Sequence, residues 1–572
     1  MENTLKSKIN IPDLVIRLLL IWFIAAFLVY PNINMVVRIL YKDGSFTLDV
    51  FKRLFSSARA IKAIRNSFIL AASMVVTVNV VGTILVVFTE YIDIKGAKFL
   101  KIGYMTPLVY GGIVLCNGYK FIYGSNGIIT NLTAGFFTGM NKDWFTGYGA
   151  VIFIMTFACT SNHLIFLTNA IRGIDYQTIE AARNLGASPG KILVKVVMPV
   201  LLPTLFAITI LTFLTGLGAM SAPLVVGGVD FQTISPLIID FSRAPYSQDL
   251  AALMSIILGL STMLLIILFN KFERKGHYIS ISKVTSRIKK LKIHNPVINA
   301  ALHGVAWFFF LIYAVPIVLV VLYSFSNSRA ILSGTLKLSD FTIANYVYLL
   351  TKSDAYRPFG VSIFYSAVSA VVVAALAILV SRILHKGKDK FTPLLEYGML
   401  IPWMLPSTMI ALGLITTFNT RQPVIFNQVL IGTIYFLLFG YIIARIPFSL
   451  RMIKAAFFSV DKSLEEAARS LGAGSFYTMI RVIIPVILPA VISVIALSFN
   501  GFLAEYDITV LLYHPLMQPL GPVIRAASNE EASLNAKAIS FVYSTLLIAL
   551  SSIAFFIIYG KKPKLKRQHP AF

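Results

Sequence analysis

Two polar segments with nearly the same residues lie 286 positions apart in an otherwise apolar chain of 572 residues. The first reads EAARNLGASPGKILVKVVMP from Glu180, and the second reads EAARSLGAGSFYTMIRVIIP from Glu466. A short helix that shows a carboxylate and small alanines can fit into a groove of another protein. The pair therefore indicates two docking elements rather than a catalytic centre.

Patterns that carry catalytic or metal chemistry are absent from the sequence. It contains no GxxxxGK[ST], HExxH or GxSxG pattern, and its seven histidines are scattered. The nearest approach to a phosphate-binding loop, from Gly186 to Ile192, has the wrong spacing and lacks the Ser or Thr that would hold magnesium. Cys116 and Cys159 lie in apolar surroundings, so neither a disulfide framework nor a metal site is indicated. We expect no enzyme activity, metal site or cofactor in this chain.

A second polar group, Glu505, Tyr506 and Asp507, follows an apolar run in the second half of the chain. The corresponding place in the first half carries Met220 and Ser221. A carboxylate at the end of a membrane span is costly in lipid and therefore tends to face a wet cavity. These five residues are candidates for a substrate path. The alternative is that the carboxylates bond the backbone, or another protein, at the outer rim.

The composition is that of a polytopic membrane protein. Hydrophobic residues make up 57% of the chain and charged residues 13%, which leaves too little polar surface for a soluble protein of this length. The formal net charge is +26. In a membrane protein this excess is explained by Lys and Arg in cytoplasmic loops that face anionic lipid headgroups, so no nucleic-acid partner is expected.

The predicted fold is all-α with about twelve transmembrane helices, since a span needs about 20 mainly apolar residues. Gly111, Gly112 and Asn117 interrupt the third of these spans. The predicted spans lie at 14–35, 66–90, 100–120, 148–170, 199–221, 248–270, 301–324, 361–383, 395–418, 428–447, 485–505 and 539–559.

The distribution of Lys and Arg predicts the orientation in the membrane, with both termini cytoplasmic. Basic segments at Lys271–Lys292 and Ser381–Lys390, and the basic C-terminal tail, all fall on one side of a twelve-span arrangement. One external loop, Tyr41–Arg65, runs against this bias, and we expect it to form an interfacial helix.

The chain consists of two halves that repeat one another. Residues 1–270 are predicted as a first transmembrane domain, 271–294 as a basic cytoplasmic linker and 295–572 as a second transmembrane domain. Six spans in each half give both halves the same orientation, so they form parallel repeats with the substrate path between them.

The sequence around each glutamate predicts a short cytoplasmic helix, a tight turn and a return into the membrane. An aspartate five residues before each glutamate can cap the helix. Gly186 and Gly472 suit a left-handed turn that ends it, and Pro199 and Pro485 suit the first turn of the next span.

These segments resemble the signature of permeases in binding-protein-dependent ABC importers: EAA, three residues, Gly, nine residues, an aliphatic residue, one residue, an aliphatic residue and Pro. Both copies match it, which makes the chain similar to two fused six-span permease domains. The resemblance implies that each short helix is a coupling helix that docks in a cleft of an ATPase subunit. The implied coupling residues are Glu180, Ala181, Ala182, Arg183 and Gly186 in the first copy, and Glu466, Ala467, Ala468, Arg469 and Gly472 in the second.

The resemblance also implies the partners: two copies of an ABC ATPase that uses ATP and magnesium, and an extracytoplasmic solute-binding protein. The segment EYDITVLLYHP, from Glu505, resembles permeases for ferric iron, whose relatives carry thiamine, 2-aminoethylphosphonate, polyamines or sulfate. Ferric iron is the leading expectation for the cargo. An ion-coupled secondary transporter is the alternative class, because it also uses parallel repeats.

Overall fold

The structure, a computed structural model, describes residues 11–42, 44–137, 139–174, 176–273, 290–387, 391–529 and 531–559. In these residues the chain is helical except for loops and one small hairpin, whose strands Tyr41–Lys42 and Ser45–Phe46 pair antiparallel. This agrees with the prediction of an all-α membrane protein. The hairpin and helix Asp49–Ser56 occupy most of the basic external loop, whose place at the membrane interface stays a prediction.

Ten helices of the described residues are long and apolar enough to cross a membrane. Their bounds are Leu14–Leu40, Ala58–Tyr91, Gly147–Arg172, Pro189–Leu217, Pro245–Leu268, Pro296–Ser324, Ser353–His385, Phe436–Phe458, Ser475–Ala504 and Leu534–Phe556. Shorter helices connect them at Tyr176–Asn184, Ser221–Val226, Ile234–Arg243, Ser328–Ser333, Ala344–Thr351, Lys462–Ser470, Thr509–Leu512 and Leu520–Ala527.

The third and the ninth predicted spans are broken. Each consists of two helices that meet at a sharp bend, of 112° in the third and 106° in the ninth, so the described residues hold ten to twelve spans. Leu405 is extended, the conformation that the ring of Pro406 favours at the residue before it. The predicted ninth span is therefore present as a bent pair, and the bend was not predicted. The bent pairs are Ala97–Leu108 with Gly112–Phe136, and Phe391–Met404 with Ser407–Phe418.

The tenth span begins and ends about ten residues later than the predicted 428–447. Charged residues after position 444 made the apolar run look shorter than the helix. Each charge has a partner that the local sequence does not show: Arg445 donates to the Leu497 carbonyl at 3.0 Å, Arg451 lies 3.9 Å over the Trp403 ring, and Lys454 pairs with Glu396. The helix can therefore continue through them.

The helices that follow the two polar segments begin at Pro189 and Ser475, ten residues before the prolines that were predicted to start them. A proline inside a helix clashes with the carbonyl four residues earlier and lacks an N–H. Here a π-helical turn precedes each proline, at Leu193–Val197 and at Met479–Ile483, which relieves that constraint. Pro199 and Pro485 lie in the first turn of the α-helices Met198–Leu217 and Ile484–Ala504, as predicted, while the spans as a whole begin earlier. The two halves treat the prolines identically.

Packing divides the chain into two compact units that do not follow the sequence repeat. One unit combines the chain up to Val50, Gly360–Gln518 and the residues from Ser552 on. The other combines Phe51–Phe359 with Pro519–Ser551. Boundaries at 270 and 295 describe the duplication and stay a prediction, because a packed unit and a repeat are different divisions of the chain.

Each half contributes its first span to the unit built mainly from the other half. Leu14–Leu40 packs among helices of the second half: the Asn34 amide donates to Thr417 Oγ1 at 2.9 Å, and the rings of Phe27 and Phe439 stack at 4.8 Å.

Pro296–Ser324 packs on helices Ala97–Tyr104 and Gly112–Tyr123 of the first half in the same manner. The Tyr104 hydroxyl donates to the Ala306 carbonyl at 2.7 Å. The first spans are thus exchanged between the two halves.

Candidate functional site

The two polar segments form the same structure in both halves. The first motif helix is Tyr176–Asn184 and the second motif helix is Lys462–Ser470, an offset of 286 at both ends. The Asp461 side chain caps the second helix, since it accepts a hydrogen bond from the Ser463 N–H at 2.9 Å, and this bond lowers the pKa of its carboxyl. Asp175, the predicted cap of the first helix, lies outside the described residues.

Both motif helices end in the predicted left-handed glycine turn. Gly186 has φ +79° and Gly472 has φ +81°. In each turn the glycine N–H bonds the carbonyl three residues back, and the next N–H bonds the carbonyl five residues back. This is a Schellman turn, which favours glycine because left-handed backbone is strained for other residues.

The motif helices present their predicted contact residues to solvent. Glu180, Ala181 and Arg183 are exposed, and so are their counterparts in the second helix, Glu466, Ala467 and Arg469. The inner alanine of each copy is more covered: Ala182 is half-buried and Ala468 is buried. An exposed face of one carboxylate, one small residue and one arginine is available to a protein partner.

Sequence reasoning missed the largest apolar contribution to this surface. Leu185 and Leu471, which precede the turn glycines, are each 89% exposed. The second copy adds exposed Phe476 and Tyr477, where the first copy has Gly190 and Lys191. The identity of the two leucines at the repeat offset was the available signal. Exposed apolar side chains at matched places mark a surface that another protein covers.

The carboxylate of Glu505 holds the loop beyond its span. It accepts hydrogen bonds from the Ile508 N–H at 2.9 Å, from the Thr509 N–H at 3.0 Å and from the Thr509 hydroxyl at 2.9 Å. This is the backbone-bonding role that the sequence left open as an alternative to a place on the substrate path.

The other candidate path residues lie close by or in the corresponding place of the first half. Tyr506 is buried, and Asp507 is half-buried beside Glu505, so that burial and the neighbouring carboxylate raise the pKa of Asp507. Met220 is buried, and Ser221 begins a short helix that approaches Gly112 closely. Their roles in a substrate path stay predictions.

Arg445 is a polar residue inside a span that sequence reasoning overlooked. Its guanidinium lies 4.3 Å over the Phe448 ring and against Gly501, and its Nε is buried without a hydrogen-bond partner in the described chain. Cys159 occupies the equivalent place in the first half. A charge within a span marks a functional place by default, because lipid does not solvate it.

A cavity with a mainly apolar lining and a few polar side chains lies within the unit of Phe51–Phe359 and Pro519–Ser551. Its volume is about 170 Å³, and Asn117, Lys120 and Lys537 are among its lining residues. Both polar atoms of the Asn117 side chain are buried and have no hydrogen-bond partner among the described residues. Within those same residues, no group of three His, Cys, Asp or Glu could hold a metal ion.

Comparison with known proteins adds the family context. The family model "Binding-protein-dependent transport system inner membrane component" matches residues 9–275 and 377–567, once in each half. A probable ABC transporter permease protein of Sinorhizobium fredii, y4fN, is 37% identical over 533 residues, which cover 93% of each chain. A putative ferric transport system permease protein of Haemophilus influenzae, FbpB 1, is 23% identical over 504 residues, or 86% of this chain and 76% of its own.

Among solved structures, a bacterial ABC transporter involved in the import of the acidic polysaccharide alginate matches with a TM-score of 0.40 and 18% identity. The match covers 46% of this chain and 97% of that one.

Proposed function

The chain belongs to the family of inner-membrane components of binding-protein-dependent transport systems, and we propose that it supplies both permease halves of one ABC importer. Membership in this family decides between the two transport classes that the sequence left open. The chain is an ABC importer permease and not an ion-coupled secondary transporter.

The observation that carries the proposal is the matched pair of motif helices. Both have the same bounds, the same glycine turn and the same exposed glutamate and leucine at an offset of 286. Two copies of one ATPase subunit dock on them, with Glu180 and Glu466 in polar contact. ATP and magnesium are bound by that partner, and this chain binds no cofactor. Closure of the ATPase pair draws the motif helices together and switches the permease between two states.

In this proposal the motif helices and both termini face the cytoplasm of a bacterium. The basic segments that flank the spans support this orientation by the positive-inside rule. An extracytoplasmic binding protein then delivers its solute to the opposite face, where Glu505 and Asp507 lie beyond the end of their span.

Ferric iron is the proposed cargo. The support is the resemblance of the segment from Glu505 to permeases for ferric iron, and a relative that is named a ferric transport system permease. An anion such as sulfate or 2-aminoethylphosphonate is the second candidate. It is favoured by Arg445, a cation inside a span with no ion-pair partner within the described residues. Thiamine and polyamines remain alternatives by resemblance alone.

Transport in proteoliposomes tests the permease role. The full chain, its ATPase and its binding protein are reconstituted, and solute accumulation is followed with ATP, with a non-hydrolysable analogue and with an uncoupler. We expect accumulation that requires ATP hydrolysis and survives the uncoupler. Accumulation that the uncoupler abolishes while ATP remains would contradict an ATP-driven importer.

The cognate binding protein tests the cargo. Its bound solute is identified by elemental analysis and mass spectrometry after purification from cells. Ferric iron in the protein, and uptake of radiolabelled ferric iron by the reconstituted importer, are expected. Bound sulfate or a phosphonate, with no iron uptake, would replace the iron proposal with the anion one.

A further inference from the structure

Ion pairs connect the second span of each half to its motif segment, by which we mean the motif helix together with the end of the span before it. In the first half, Glu90 near the end of Ala58–Tyr91 binds Arg172, four residues before the first motif helix. The Arg172 guanidinium donates from Nε and Nη2 to the carboxylate at 3.1–3.3 Å. Lys101 donates to the same carboxylate at 2.5 Å.

In the second half, Arg382 near the end of Ser353–His385 pairs with Glu465 of the second motif helix. The Arg382 and Glu465 side chains are largely covered, at 13% and 14% exposed. In the first half the Glu90 side chain is 11% exposed, whereas the Arg172 side chain is 64% exposed. Covered ion pairs hold their geometry because a broken pair leaves a charge without compensation in a poorly solvated place.

The two ion pairs have opposite polarity. The second span carries the acid in the first half and the base in the second half, and the motif segment carries the opposite charge in each. At the repeat offset, Glu465 corresponds to Ile179, a buried apolar residue. The duplication therefore did not copy one ion pair. Each half connects its second span to its motif segment with a different pair of residues.

We infer that Glu90–Arg172 and Arg382–Glu465 are clamps that make each motif segment move together with the second span of its half. This rests on the proposed function, in which the ATPase moves the motif helices. A motif helix held only by flexible chain could move without moving a span. When the motif helix is clamped, its displacement moves the attached span. Movement of that span by the docked binding protein then reaches the motif helix and the ATPase. The four residues are positioning residues and contact neither ATP nor cargo.

Stimulation of ATP hydrolysis by the binding protein measures this transmission without knowledge of the cargo. The full chain and its ATPase are reconstituted in liposomes, and hydrolysis is measured with and without the cognate binding protein as purified. For R382E and E465R we expect the stimulation ratio to fall about tenfold, within the usual range of coupling between sites. Basal hydrolysis and co-purification of the ATPase should stay near those of the wild type.

The double variant R382E/E465R restores the pair with reversed charges and should recover part of the stimulation, because the new cation at position 465 also lies near Arg469, which is 3.7 Å from Glu465 in the wild type. K462E is the matched control, because it reverses an exposed charge on the same motif helix outside the clamp. E90Q tests the first clamp without bringing a new cation near Lys101, and we expect the same loss of stimulation. If R382E does not assemble with the ATPase, R382Q is used instead, and the same fall in the stimulation ratio is expected.

The clamp is refuted if the single variants keep the wild-type stimulation ratio, or if the double variant assembles with the ATPase but recovers nothing. A wild-type chain that neither binds the ATPase nor responds to the binding protein would instead contradict the proposed function.

Discussion

Gly472 holds its turn at φ +81°, and a side chain there would meet no other atom within 4 Å. Backbone conformation, and not space, is therefore what requires glycine at this position. The same holds for Gly186 in the first half. The residue matters because the turn fixes where the exposed glutamate and leucine of the motif helix point.

G472A should weaken docking of the ATPase, because left-handed backbone costs an alanine about 1–2 kcal/mol. The matched control is G474A: Gly474 has φ −67° and is equally uncrowded, so alanine fits there without strain. Co-purification of the ATPase with each variant is the measurement. Equal losses for both variants would show that exposure of this loop, and not its turn, governs docking.

Asp507 should make stability depend on pH. Burial and the Glu505 carboxylate raise its pKa in the folded state above the unfolded value of about 3.9. A raised folded-state pKa adds stability that is complete below the unfolded pKa and is lost as pH rises through the folded pKa. The melting temperature should therefore fall as pH rises from the unfolded-state pKa to the folded-state pKa of Asp507. D507N should flatten this dependence of the melting temperature on pH. D230N, which removes an exposed carboxylate, should keep the wild-type profile; a flattened profile there would contradict the assignment.

At the scale of elements, close backbone contacts and ion pairs hold neighbouring helices together. Gly216 brings Pro189–Leu217 against Ala58–Tyr91: a Cβ added there would lie 2.7 Å from the Ala71 Cα. A backbone atom cannot move aside as a side chain can. The close approach thus sets the distance between the second and fifth spans of the first half.

G216A should lower the free energy of unfolding in detergent by about 1–3 kcal/mol, the usual cost of overpacking. G304A is the control, since Gly304 also lies within a spanning helix but has open space around its Cα. Alanine there should be neutral or slightly stabilising, because glycine is a poor helix residue. Thermal unfolding of both variants is the measurement. Equal stability of G216A and the wild type would mean that the two spans can move apart without a loss of stability.

The sequence predicted those elements whose signals are local. Glycine turns, motif helices and most spans follow from residues next to one another, and the repeat doubled each signal. The tenth span was misplaced because its charges are satisfied by Trp403 and Glu396, which belong to another helix. Arg445 was missed as a site residue because hydropathy counts it only as an interruption.

At the scale of the whole molecule, the exchange of first spans could not be read from hydropathy, which identifies a span but not its neighbours. Leu14–Leu40 and Pro296–Ser324 are each packed in the unit of the other half. Pairs such as Asn34 with Thr417 are 383 residues apart in sequence. Neither half contains all the helices of a packed unit.

Residues 1–270 and 295–572, expressed as separate chains, should co-purify, because each completes the other's packed unit. Removing the first span from the fragment 1–270 should abolish this association, and limited proteolysis should then cut the fragment 295–572 more readily. Removing the last span of the first half, Pro245–Leu268, is the control. If fragments without Leu14–Leu40 still associate fully, the exchanged span is not what joins them.

The exchange also has a consequence for biosynthesis. Trp22 bonds the Val424 carbonyl, a residue made 402 positions later. At about 5–20 residues per second, the ribosome needs roughly 20–80 seconds to supply that partner. For this time Leu14–Leu40 lacks its neighbours from the second half and stays in lipid or with an insertion factor. The span is therefore among the last to reach its final place, and its misfolding is a hazard of synthesis rather than of the finished importer.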